Sequence, residues 1–143
     1  MLKGIPSILG PELLKIMMEM GHGDELVISD GNFPAASMAE RLVRADGHGV
    51  PELLDAVLKL FPLDTYVDAP VTLMEVVPGD PIRPEIWDVY RKIVGRHEPV
   101  VGQIQFVERF AFYERAKKAY AVVATGEKAL YANIILKKGV VTE

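Results

Sequence analysis

Three short polar segments of this chain carry residue types suited to moving protons and gripping hydroxyl groups. They are Gly21-His22-Gly23-Asp24, Asp30-Gly31-Asn32 and Tyr131-Ala132-Asn133. Histidine changes charge near neutral pH, and flanking glycines leave room for another molecule to approach it. A tyrosine hydroxyl and an asparagine amide each offer donors and acceptors, the chemistry that fixes a polyhydroxylated ligand. Asp30 follows a short apolar run and so falls at the carboxyl end of an expected strand, where ligands gather in parallel sheets. This is the composition of a sugar site. Taken singly, each residue also has a structural reading. His22 is then a turn histidine after a helix end, Asp30 an Asx-turn carboxylate, Tyr131 and Asn133 a strand-entry turn, and Arg109 a solvated or salt-bridged helix residue. His48, His97 and Trp87 read as structural.

Other chemistries lack their residues. There is no cysteine, which excludes a thiol nucleophile, a thiolate zinc site, an iron-sulfur cluster and a disulfide scaffold. His22, His48 and His97 have no zinc-ligand spacing, so no metal site is expected. Gly21-His22-Gly23 has neither a third glycine nor a preceding strand, which makes it a poor dinucleotide loop, and no phosphate-binding loop or nucleophile elbow is present.

The elements that must position these groups are those of one domain. The chain has 143 residues, of which 50% are hydrophobic and 25% charged, enough for a single core and inconsistent with disorder. Sixteen basic against 20 acidic side chains give a net charge of −4, without the basic stripe that nucleic acid would require. No signal-peptide pattern and no membrane-length apolar run occurs, so a soluble, cytoplasmic protein is expected.

Pro11-Glu12, Pro51-Glu52 and Pro84-Glu85 each mark a helix start, because proline suits the first turn and glutamate its positive end. The first helix carries Leu13, Leu14, Met17 and Met20 on one stripe and stops at Gly21; the third fades at Gly95. Strands are expected over 26–30, 42–45, 71–77, 103–107, 120–126 and 133–136, with a helix over 109–119. Helical segments alternating with strands imply an α/β layer structure with at least part of the sheet parallel.

Several stretches in combination resemble a known family. They include Pro11-Glu12-Leu13-Leu14-Lys15, Glu19-Met20-Gly21-His22-Gly23-Asp24-Glu25, Phe33-Pro34-Ala35, Arg44-Ala45-Asp46-Gly47, Arg109 to Ala116, Thr125-Gly126-Glu127 and Tyr131-Ala132-Asn133-Ile134. Together they are similar to the ribose pyranase and fucose mutarotase family, with the Arg44 to Gly47 and Arg109 to Ala116 stretches on the fucose branch. The resemblance spans nearly the whole chain and outweighs the residue-by-residue structural readings. It implies a three-layer α/β/α domain with a mixed sheet and interconversion of the α and β anomers of L-fucose without metal or organic cofactor. It further implies a ring-shaped homo-oligomer, commonly a decamer of pentamers, in which neighbouring subunits complete each site. His22 matches the family's general acid, and Asp30, Arg109, Tyr131, Ala132 and Asn133 match positions that contact the sugar. Ring opening needs an acid at the ring oxygen and a base at the anomeric hydroxyl. His22 is assigned to the first, and Tyr131 or a water beside it to the second. Asp30 would orient His22 or accept sugar hydroxyls. The alternatives are a pyranose/furanose interconversion of ribose and a sugar-binding regulatory protein without turnover.

Overall fold

A computed structural model describes residues 1–99 and 104–143, so Gln103, the first residue of the expected 103–107 strand, lies outside the described residues. The elements run α1 (Pro11–Glu19), β1 (Glu25–Ser29), α2 (Ala35–Met38), β2 (Leu42–Ala45), α3 (Val50–Leu58), β3 (Val71–Met74), α4 (Ile86–His97), β4 (Ile104–Val107), α5 (Arg109–Lys118), β5 (Ala121–Thr125) and β6 (Ile134–Lys137).

The strands form one six-stranded sheet in the order β2-β5-β1-β6-β3-β4. Only β6 runs against the others: it pairs antiparallel with β1 and β3, while β1, β2 and β5 are mutually parallel, as are β3 and β4. The expected mixed sheet is therefore observed. Its middle strands are apolar on both faces because both are covered. Leu26 and Ile28 of β1 point to a core with α1, α3 and α4, whereas Val27 points to a second core with α2 and α5. This alternation across one strand produces the three layers. Tyr90 and Phe112, both fully buried, anchor the two sides. Burial of such a ring contributes ~1.5–3 kcal/mol, so each helix is held by its apolar face.

Three boundaries differ from expectation, each for a local reason. The 71–77 strand ends at Met74. One more ladder contact follows, Glu75 N–H to the Val107 carbonyl, and the chain then turns away through Pro78-Gly79. The third helix begins at Ile86, because Pro84 and Glu85 form only a tight lead-in turn, with Trp87 N–H bonded to the Pro84 carbonyl. It also runs past Gly95 to His97. An interior glycine costs only ~1 kcal/mol, and the last turn is fastened to α3 by His97 Nε2 against Asp55 Oδ1 at 2.7 Å. The single turn α2 was not expected from periodicity, being too short to show any.

α5 crosses the sheet from one edge to the other. Arg115 near its end bonds Glu25, at the start of β1, and donates to Thr72 Oγ1 at 3.0 Å. Arg109, at its start, is thereby set at the opposite edge, where the parallel strands end.

Candidate functional site

At that carboxyl edge the chain ends of β1, β3 and β4 meet the beginning of β6. A cleft of about 250 Å³ opens there. Asp30, Asp80, Arg109, Tyr131 and Asn133 supply its polar groups, and Phe33, Met74, Val77 and Leu130 its apolar ones. The volume lies below the ~300–1,000 Å³ of drug-sized ligand pockets, and so suits a small molecule. Polar groups beside an apolar wall fit a ligand that has hydroxyls along one side and carbon along the other. Four of the residues singled out from sequence, Asp30, Arg109, Tyr131 and Asn133, are brought together here.

Asp30 and Asn133 are buried and interlocked. The Asp30 N–H donates to Asn133 Oδ1 at 2.7 Å, which leaves the Asn133 amide nitrogen to donate elsewhere. Burial pushes the Asp30 carboxyl up from its ordinary value, partly offset by the backbone N–H groups of Asn32, Ala132 and Phe33 that hydrogen-bond it. The Asn32 bond measures 3.0 Å to Oδ1. Arg109 is exposed at the head of α5, with its Nε donating to the Tyr113 hydroxyl at 3.4 Å and its guanidinium 5.4 Å from the Tyr113 ring centre. Tyr113 also lines the cleft.

Tyr131 has a left-handed backbone, φ 57°, which is costly for a bulky residue and persists only where neighbours over-determine it. Two side chains of α4 do so. Trp87 Nε1 donates to the Tyr131 carbonyl at 2.9 Å, and the buried Tyr90 hydroxyl donates to the Ala132 carbonyl at 2.6 Å. Ala132 thus contributes backbone and no side-chain chemistry; it is itself fully buried. The clamp turns the Tyr131 ring to the cleft, where its hydroxyl donates to Asp80 Oδ2 at 2.7 Å. That bond, with partial burial, holds the phenol above its ordinary value and hence protonated. Tyr90→Phe should leave the Ala132 carbonyl buried without a partner and lower unfolding free energy by ~1–3 kcal/mol in denaturant titration. It should also raise KM for the ligand more than a distant core truncation of equal cost.

His22 is not in this cleft. It precedes β1 whereas Asp30 follows it, and five strand residues span roughly 16 Å. Its expected partner, Asp30, is therefore out of reach within one chain. The structure supplies another: His22 Nε2 lies 3.0 Å from Asp64 Oδ1, and the imidazole packs on Tyr66 with ring centres 5.2 Å apart. Burial would raise the Asp64 carboxyl, but the Tyr66 N–H, the His22 ring and nearby Lys137 outweigh it and hold Asp64 below the usual carboxylate range. An ionised carboxylate can only accept. Nε2 therefore carries a hydrogen directed at Asp64, while Nδ1 is not engaged by that bond, on a side chain that is 43% exposed. His48 and His97 pair with Glu52 and Asp55, in keeping with structural roles.

Sequence reasoning missed Asp64, Asp80 and Tyr113; Trp87, read as structural, does pack partly buried against the core, and its bond to the Tyr131 carbonyl is what that reading did not foresee. Tyr113 stood four positions after Arg109, a spacing that puts both on one helix face and could have found it. Asp64 and Asp80 are lone carboxylates in irregular segments with no periodic signal.

The chain matches the RbsD / FucU transport protein family over residues 3–141. It is 54% identical to the fucose mutarotase of Homo sapiens over 145 residues, covering 97% of this chain and 94% of that one. Its fold superposes with a TM-score of 0.94 on the fucose mutarotase of Streptococcus pneumoniae solved in complex with L-fucose, at 57% identity and covering 99% of this chain and 100% of that one. RbsD of Bacillus subtilis, solved with D-ribose, shares the fold at a TM-score of 0.71 and 22% identity, over 94% of this chain and 95% of that one.

Proposed function

Because this chain belongs to the RbsD / FucU transport protein family, we propose that it interconverts the α and β anomers of L-fucose by opening and reclosing the pyranose ring. The observation that carries this reading is the carboxyl-edge cleft. There Asp30, Arg109, Tyr131 and Asn133 converge beside an apolar wall, in a fold shared at 57% identity with a protein solved with L-fucose. Asp30 accepts from sugar hydroxyls, Arg109 and the Asn133 amide donate to sugar oxygens, and Phe33, Met74, Val77 and Leu130 offer a surface for the C–CH3 side of a 6-deoxy sugar. Opening the ring moves a proton off the anomeric hydroxyl and another onto the ring oxygen. Side-chain acids and bases suffice for this, and positioned ones are worth ~10²–10⁴-fold.

His22 is the acid for the ring oxygen: it hands over a second ring proton, carried on Nδ1, while the Nε2–H stays directed at Asp64. Since its own cleft is out of reach, it serves the cleft of a neighbouring copy. Exposed aromatic groups flank both halves: Tyr66, 75% exposed, beside His22 and Phe110, 65% exposed, beside Arg109. A contact of amino edge on carboxyl edge is head-to-tail, and such contacts form a ring where the rotation between copies closes. A ring of five copies, paired as a decamer in the cytoplasm, is the assembly this reading takes.

No helix among the described residues is long and apolar enough to cross a membrane. Saturation-transfer NMR tests the function directly. Catalytic amounts of the protein should speed exchange between the anomers of L-fucose well above the buffer rate and above its effect on D-ribose. A clear ribose preference would reassign the substrate, and fucose binding without faster exchange would make the chain a sugar-binding protein.

A further inference from the structure

We propose that Asp80 is the terminal acceptor of the anomeric proton, which reaches it through the Tyr131 hydroxyl, so that the two residues form a relay rather than a tyrosine base. This rests on the ring-opening reading above. The phenol oxygen has one proton to give and two lone pairs to offer. The proton is directed at Asp80 Oδ2, 2.7 Å away, and one lone pair accepts the Val77 N–H at 3.3 Å. The second lone pair remains for the ligand, and both Tyr131 and Asp80 line the cleft.

The carboxylate is fixed as carefully as the ring. Its Oδ1 accepts the Ile82 N–H at 3.1 Å, and the Asp80 N–H closes a turn onto the Val77 carbonyl at 3.0 Å, through Gly79 at φ 91°. Asp30 and Arg109 are the other charged groups facing the same cleft. A lone phenol accepting the anomeric proton would have to become an oxonium, since its own proton is still in place. With Asp80 behind it, that proton has somewhere to go. As the anomeric O–H bond breaks, the proton joins the Tyr131 oxygen and the phenol's original proton passes to Asp80 Oδ2. The freed electron pair becomes the carbonyl as the bond from the anomeric carbon to the ring oxygen breaks, and the ring oxygen takes a proton from the acid assigned to His22. Reclosure on either face of the aldehyde runs the transfers backward, so no net charge is left.

Asp80→Asn separates relay from scaffold, because an amide oxygen still accepts the phenol hydrogen bond but cannot take its proton. In saturation-transfer measurements over a range of L-fucose concentrations, kcat should fall at least ~10-fold with KM within about twofold. The solvent deuterium effect should lose its multi-proton curvature, and Asp80→Glu should recover part of the rate. Tyr131→Phe combined with Asp80→Asn should be no slower than Tyr131→Phe alone. A wild-type rate in Asp80→Asn, or additive losses in the double variant, overturns the relay while the mutarotase reading stands. Absence of accelerated exchange in the unaltered protein overturns both. Should Asp80→Asn fail to fold, Tyr131→Phe gives the decision: an unchanged solvent deuterium effect there rejects the relay.

Discussion

His22→Ala should lower catalysed anomer exchange by ~10²–10⁴-fold, the worth of a positioned acid, while leaving the Asp30 cleft of the same chain untouched. The informative experiment is a mixture. Tyr131→Phe chains keep His22 but have a defective cleft, and His22→Ala chains the reverse. If each active site joins the His22 of one copy to the cleft of the next, co-assembled chains in equal amounts should regain about a quarter of the wild-type sites, by random assembly around a ring. If both groups belonged to one chain's site, mixing would restore nothing. The geometry favours restoration, because His22 and Asp30 flank opposite ends of the same five-residue strand. His22→Gln separates chemistry from folding. Its amide can still donate to Asp64 but has no proton to hand on, so it should be as inactive as His22→Ala and more stable.

That separation was partly legible without coordinates. A histidine before a strand and an aspartate after it in the same chain cannot share a small ligand, and the strand over 26–30 was evident from its apolar run, yet the expectation that Asp30 orients His22 overlooked that distance. What the numbering does not convey is which residues from distant segments replace the missing neighbour. Asp64 reaches His22 through the isolated pairing of Leu63 with Lys138 and the bond from Asp64 N–H to the Lys137 carbonyl. Those contacts follow from β6 lying antiparallel in the middle of the sheet, and strand order has no signature in local periodicity. A layered α/β domain was legible, because Leu26 to Ile28 of β1 and Ala121 to Ala124 of β5 form apolar runs and the helices carry apolar stripes, whereas the count of three layers came from the family resemblance. The clamp on Tyr131 was not. A tryptophan and a tyrosine at helical spacing read as core, and their polar tips, aimed at two backbone carbonyls, decide that a tyrosine faces the cleft.

Asp30→Asn should separate function from stability. The carboxylate is buried at the edge of the cleft with its pKa raised chiefly by burial. A carboxyl raised in the folded state binds more protons there than in the unfolded chain. Its ionisation therefore costs stability, beginning as pH rises above the ordinary value of 3.8 and in full once pH passes the raised folded-state value. Asparagine removes that cost, and its amide oxygen can still accept the Asn32 N–H; the Asp30 N–H bond to Asn133 is made by the backbone and survives. The variant should thus be at least as stable as the wild type at neutral pH, with the difference shrinking as pH falls toward 3.8. Taking the difference is essential, since Asp46, Asp55 and Asp64 are held below their ordinary values and lose their contribution as pH falls, the opposite sign. Catalysed exchange should nevertheless fall about 10- to 150-fold, the equivalent of a hydrogen bond to a charged group worth ~1.5–3 kcal/mol. Paired denaturation curves across pH, with exchange rates on the same samples, measure both. A variant that loses stability at neutral pH would mean that the ionised carboxylate holds the β1 end together. One that keeps full activity would remove Asp30 from the sugar. If the variant is both stable and slow, the fold keeps a costly buried charge at this edge because the ligand, rather than the protein, satisfies it.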